Sequence, residues 1–139
     1  MPSSGAEAGY SGTPLWRKLG LKPGMRCAAI DAPEHYPDLL SGAPNVVWTG
    51  PEDAPAFLHI FATERAALAD HIAHARDSIP PDGMIWASWP KKASKVSTDI
   101  TEGTIREIAL PIGLVDVKVC AVDATWSALK LVIRKELRP

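Results

Sequence analysis

Met84-Ile85-Trp86-Ala87-Ser88-Trp89-Pro90-Lys91-Lys92 is the stretch whose reading decides the architecture. Asp82-Gly83 before it is a turn signal, and the six residues 84–89 can all be buried, as in a strand covered on both faces. Pro90 cannot donate to a sheet ladder and stops the run, and two adjacent lysines follow. In an open parallel α/β sheet, ligands bind just beyond the carboxyl ends of the strands. Two ammonium groups, an indole and the hydroxyls of Ser88, Ser94, Ser97 and Thr98 make this strand end a candidate anion site.

Upstream of that strand lies the best helical pattern in the chain, from residue 63 to about 79. Leu68, Ile72, Ala75 and Ile79 form one apolar stripe, while Asp70, His71, His74 and Asp77 face outward. Thr63 is the expected cap, and Pro80-Pro81 ends the helix. Further upstream, residues 57–62 and 26–31 read as strands and residues 45–48 as a shorter one. A short helix starts at Thr13-Pro14 and stops at Gly20, and a brief helical segment covers 34–40. Downstream, Thr101 caps a helix with Ile105, Ile108, Ala109 and Ile112 on one face, closed by Gly113. Strands over 115–122 and 127–134 are separated by too few residues for a crossover helix, so they pair as an antiparallel hairpin.

Strands alternating with helices predict an α/β three-layer sandwich around a mostly parallel sheet of five or six strands, ending in that hairpin. Only eight residues separate Trp48 from Phe57, short of the usual crossover. Either residues 45–48 form a short edge strand with an extended return, or they run antiparallel.

At 139 residues the chain reads as one domain over 13–139, preceded by a disordered tail of small polar residues, 1–12. Its 46% apolar and 22% charged residues are those of a globular protein, and a formal charge of −1 disfavours a dedicated nucleic-acid binder. No apolar run approaches the ~20 residues needed to span a bilayer, and no signal peptide is visible. Cys27 and Cys120 lie far apart in apolar strands and read as buried thiols, so a cytoplasmic location is expected.

Several features resemble a stripped-down Rossmann-like methyltransferase of the S-adenosylmethionine-dependent class. These are the Leu21-Lys22-Pro23-Gly24-Met25-Arg26 lead-in, the Pro81-Asp82-Gly83 turn, and the ending of helix, Gly113-Leu114-Val115, strand and hairpin. A likeness over residues 10–136 is to a bacterial family, the domain-of-unknown-function family numbered 3052. Tyr10-Ser11-Gly12-Thr13-Pro14-Leu15, Ser88-Trp89-Pro90-Lys91-Lys92-Ala93-Ser94 and Val117-Lys118-Val119-Cys120-Ala121-Val122-Asp123 carry it, with Trp126-Ser127 and Leu129-Lys130-Leu131-Val132-Ile133-Arg134. That resemblance implies no activity. The methyltransferase resemblance implies a glycine-rich turn after the first strand, where backbone approaches the cofactor. Here the turn is Asp31-Ala32-Pro33-Glu34-His35-Tyr36, without glycine, so adenosylmethionine is expected to bind weakly or not at all and no cofactor is expected.

The candidate ligand-binding set is Trp89, Lys91, Lys92, Ser94, Asp123, Trp126 and Ser127, with Lys95 extending the basic rim. The lysines can clamp a phosphate or carboxylate, and the indoles can wall a planar ligand. The competing readings are a solvated charged loop and tryptophans that only close the core. Asp123 is a second source of counter-charge, which would make the lysines structural. Asp31, Glu34, His35 and Tyr36 form a weaker acid/base set, with ordinary turn chemistry as the alternative. His71 and His74 with Asp70 and Asp77 have metal-pair spacing but fit a solvated helix face better, and no metal site is assigned. His59, inside an apolar strand, reads as a satisfied core residue.

The leading expectation is a small α/β protein that binds an anionic small molecule or partner group in a binding or regulatory role. The alternatives are a divergent adenosylmethionine-dependent methyltransferase and a protein–protein interaction module, homo-oligomer included, which uses the hairpin edge or the five tryptophans. Whether any reaction is catalysed is not legible in the sequence.

Overall fold

The computed structural model describes residues 12–138, so most of the expected 1–12 tail lies outside the described residues. The chain order is α1 (Leu15–Leu19), β1 (Arg26–Ile30), α2 (Tyr36–Leu39), β2 (Val47–Trp48), β3 (Phe57–Phe61), α3 (Arg65–Ser78), β4 (Met84–Pro90), α4 (Glu102–Ala109), β5 (Leu114–Ala121) and β6 (Trp126–Ile133). Short 3-10 turns follow β4, α4 and β6.

The six described strands form one sheet in the order β2-β1-β3-β4-β6-β5. β2, β1, β3 and β4 are mutually parallel; β6 runs antiparallel to β4 and to β5. The sheet is therefore mostly parallel and closes in the expected C-terminal hairpin.

Alternation along the strands sends side chains to two separate cores. Ala28, Leu58, Ile60, Ile85 and Ala87 pack under α3 and α4, against Leu68, Ile72, Ala75, Ile79, Ile105 and Ala109. Cys27, Phe57, Phe61 and Trp86 pack under α1 and α2, against Leu19, Tyr36 and Leu40. Helices thus cover both faces, which is what the uninterrupted burial of β3 and of Ile85 to Pro90 requires. The Trp86 indole donates to the Leu19 carbonyl at 2.9 Å and fixes α1 on β4. α1 ends at Gly20, whose φ of 91° is open to glycine at little steric cost.

The short connection after β2 has a geometric solution. β2 is only two residues long, parallel, and pairs with Arg26 and Cys27, while β3 begins at the level of Cys27. The return from Trp48 to Phe57 therefore has to pass across β1 but not along its height. Thr49 and Ala56 donate to the Cys27 and Arg26 carbonyls at its two ends. The edge-strand alternative with an extended return is the one the chain adopts.

α3 is capped differently from expectation. Its N-cap is Glu64, without a side-chain cap bond, and Asp99 accepts from the Arg65 amide at 2.7 Å instead. Thr101 caps α4 as expected, in a reciprocal pair with Thr104.

Candidate functional site

Chain direction changes side between β1 and β3: β1 is followed by β2 on one flank, β3 by β4 on the other. Crevices of open α/β sheets form at the carboxyl ends of such a pair. Here a cavity of about 230 Å³ lies at that point, lined by Asp31, Phe61, Thr63, Glu64, Ala67 and Trp126. Asp31 takes the turn out of β1 with a φ of 57°, a left-handed conformation that glycine usually supplies and aspartate tolerates better than most residues.

Three segments are tied together around this crevice. Thr98 donates to the Thr63 carbonyl at 2.6 Å, and Asp99 holds the Arg65 amide, so the loop after β4 is fastened to the start of α3. Lys91 donates its amide to the Thr125 carbonyl at 2.7 Å, which joins that loop to the hairpin turn. Across the β4–β6 ladder, Pro90 faces Trp126 and Trp89 faces Ser127. His35, at the N-cap of α2, donates from Nε2 to Asp123 Oδ2 at 2.8 Å and brings the turn after β1 to the same edge.

The residues singled out in the sequence thus gather at one end of the molecule, but with divided roles. Trp89 belongs to the core under α3 and α4, whereas Trp126 meets Phe61 edge-on at 5.1 Å on the opposite face. The two indoles cannot wall one ligand together, because successive strand positions alternate across the sheet. Ser94 turns back onto its own loop, donating to the Lys91 carbonyl and accepting from the Val96 amide. Asp123 Oδ1 accepts from the Thr125 and Trp126 amides, while its other oxygen serves His35. Burial alone would raise the Asp123 pKa, but the bonds from His35, Trp126 and Thr125 outweigh it and hold the carboxyl below its usual value. Asp123 is therefore not the counter-ion of the lysines. Among the described residues, Lys91, Lys92 and Lys95 form no ion pair within 4 Å.

His59 is the satisfied core residue that its strand position predicts, but the partners that satisfy it went unread in the sequence. Tyr36 Oη lies 2.9 Å from His59 Nδ1, and His59 Nε2 lies 2.6 Å from Ser88 Oγ. The His59 ring stacks on Phe61 at 4.2 Å. Burial pushes the His59 pKa down to about 3, so the ring is neutral at physiological pH, one nitrogen donating and the other accepting. An internal histidine flanked by Phe57 and Phe61 signals burial; its partners, 23 and 29 residues away, are set only by the fold.

Two further cavities flank β1. One of about 600 Å³ lies on the α2 side, lined by Tyr36, Leu40, Ala43, Val46 and Trp48, with no charged side chain among the described lining residues. The other, about 380 Å³, lies between α3 and the return after β2, and His71 and His74 line it. Among the described residues, no three His, Cys, Asp or Glu side chains are grouped to hold a metal ion.

No family model matches the chain, and no curated protein matches it by sequence. Solved structures match it by fold. An adenosylmethionine-dependent methyltransferase from Aquifex aeolicus superposes with a TM-score of 0.60 at 12% identity, covering 86% of this chain and 87% of that one. A protein assigned to the type 11 methyltransferases, from Sulfolobus solfataricus, gives 0.62 at 12% identity, covering 87% and 90%. Magnesium protoporphyrin IX methyltransferase from Synechocystis PCC 6803, with bound adenosylmethionine, gives 0.53 at 12% identity, covering 80% and 71%. The fold of this chain is therefore the Rossmann-like α/β fold of adenosylmethionine-dependent methyltransferases.

Proposed function

We propose that this chain uses a methyltransferase-type scaffold to bind a small molecule bearing an anionic group, held by Lys91 and Lys92 beside the crevice between β1 and β3. The observation that carries this reading is the unpaired state of those lysines, with Asp123 committed to His35 and to its own turn. Adjacent like charges fastened at a strand end favour a counter-anion from outside. The crevice, at about 230 Å³, is below the ~300 Å³ of ordinary ligand pockets, so it suits a small polar group better than a whole nucleoside cofactor. Asp31 and Glu64 line the crevice itself, and their negative charge favours an anion held at the lysine rim over one on its floor.

Thermal shift against inorganic phosphate, nucleotides and carboxylates tests this on the wild type and on Lys91→Ala/Lys92→Ala. A hundredfold excess over the dissociation constant stabilises by about 2.7 kcal/mol. A shift lost in the double variant supports the site. An unresponsive wild type, or an equal response in the variant, makes the loop a solvated surface and ends this reading.

A second reading, a divergent adenosylmethionine-dependent methyltransferase, is favoured by the fold comparisons. The glycine-free turn at Asp31 and the size of the crevice oppose it. Titration calorimetry with adenosylmethionine decides: micromolar affinity would promote it above the first. The motif Ser88 to Ser94 supports membership of the domain-of-unknown-function family 3052. No described helix is long and apolar enough to cross a membrane, and the buried free thiols Cys27 and Cys120 fit a reducing compartment such as the cytoplasm.

A further inference from the structure

His71 and His74, read in the sequence as a solvated helix face in preference to a metal pair, line a cavity of about 380 Å³, within the ~300–1,000 Å³ range of ligand pockets. Ile30, Leu58 and Ala75 give it apolar walls, and Glu52 stands among the lining residues. The return after β2 forms its other side and is tied to the end of α3 by the Ser78 hydroxyl, which donates to the Pro51 carbonyl. An apolar cavity with a few polar groups around it is the general form of a small-molecule site.

The chemistry of those polar groups has a sign. The Asp70 carbonyl can only accept, so His74 Nδ1, 2.9 Å away, carries the proton and donates to it. In the neutral ring, Nε2 is then left as an acceptor. The Glu52 carboxylate is an acceptor only. The His71 Nε2 lies 3.8 Å from Asp31 Oδ2, too far for a hydrogen bond, and that carboxylate adds negative potential at one end. Among the described residues, no lysine or arginine lines it.

We propose that this cavity binds an organic amine, its apolar body against Ile30, Leu58 and Ala75 and its ammonium group donating to Glu52 and His74. The reading goes beyond the lysine-rim site, because it uses other residues and a ligand group of the opposite charge.

The test titrates the protein with tryptamine, with the uncharged 3-ethylindole and with the anionic indole-3-propionate, following amide chemical shifts by NMR. Tryptamine is expected to shift amides around Glu52, Ala75 and Ser78, at least tenfold more tightly than 3-ethylindole and with no response to indole-3-propionate. Glu52→Gln and His74→Ala alter exposed side chains, so folding is expected to be retained, with circular dichroism as the check. Each variant should weaken tryptamine by about tenfold, as loss of a hydrogen bond to a charged group does. If tryptamine produces no shifts, shifts amides elsewhere, or binds both variants as it binds the wild type, the proposal is wrong. Equal binding of 3-ethylindole overturns the amine assignment as well. Inorganic phosphate, titrated in parallel, reports on Lys91 and Lys92 alone, so failure of either site is read independently of the other.

Discussion

His35 Nε2 stands 2.8 Å from Asp123 Oδ2, a contact between residues 88 positions apart that closes the turn after β1 onto the turn of the C-terminal hairpin. It settles where the charge of Asp123 goes. The same carboxylate holds the Thr125 and Trp126 amides, and so sets the position of Trp126 at the crevice.

Asp123→Ala removes all three acceptor contacts and is expected to cost about 1–3 kcal/mol. The folded-state pKa of Asp123 is lowered, so its contribution is present above the unfolded value and is lost as pH falls through the folded one. Urea denaturation between pH 7 and pH 3 should show a shallower acid decline for Asp123→Asn than for the wild type. Parallel curves would mean that Asp123 carries no pH-linked stability.

His59 acts in the same pH range from the opposite chemistry. Its folded pKa of about 3 lies below the ordinary 6.5, so between these values the unfolded chain binds a proton that the native chain does not. Stability from this source is whole above pH 6.5 and falls on acidification, by at most about 1.4 kcal/mol per pH unit. Tyr36→Phe and Ser88→Ala each leave one buried imidazole nitrogen unpaired and should cost about 1–3 kcal/mol at neutral pH. Guanidinium melts that show either variant unchanged would exclude this account of the chain.

What the sequence revealed follows from what local pattern encodes. The period of 3.6 in Leu68, Ile72, Ala75 and Ile79 placed one stripe of α3 on the core, where all four are buried. The short turn before Trp126 dictated the hairpin. The solvent-facing reading holds for His74, which is exposed, while His71 is partly buried; the pattern did not reveal that this flank of α3 also borders a cavity beside the return after β2. Nor does a run of buried residues say which face each takes. Trp89 and Trp126 looked like partners, yet pairing of Pro90 with Trp126 puts the indoles on opposite sides. Asp99 serves α3 from 34 residues downstream, and only the tertiary fold brings it there.

Asp99 links the lysine loop to α3 through a charge-assisted bond to the first helical amide. Asp99→Ala is expected to destabilise by about 1 kcal/mol, in the range of lost helix caps, and Asp99→Asn by less. Amide hydrogen exchange at Arg65 should rise in the alanine variant. An unchanged rate would show that the bond does not protect the helix end.

Asp31 occupies a left-handed conformation, φ 57°, which glycine adopts most readily, in the turn where the methyltransferase resemblance implies glycine. If its backbone is mildly strained, Asp31→Gly should leave stability unchanged or raise it by up to about 1 kcal/mol, the relief partly offset by the greater entropy of an unfolded glycine. Asp31→Val, with a branched Cβ at positive φ, should cost more than 1 kcal/mol, since such residues are outliers there. Adenosylmethionine is expected to gain no micromolar affinity in Asp31→Gly, because Pro33 still follows and Tyr36 still points inward to His59. Calorimetry on both proteins tests whether the Asp31 side chain alone would bar the cofactor. If one glycine restored tight binding, the scaffold would have lost the cofactor through a single side chain. If neither protein bound, the obstacle would be the whole turn, with Pro33 and the one-turn α2 behind it.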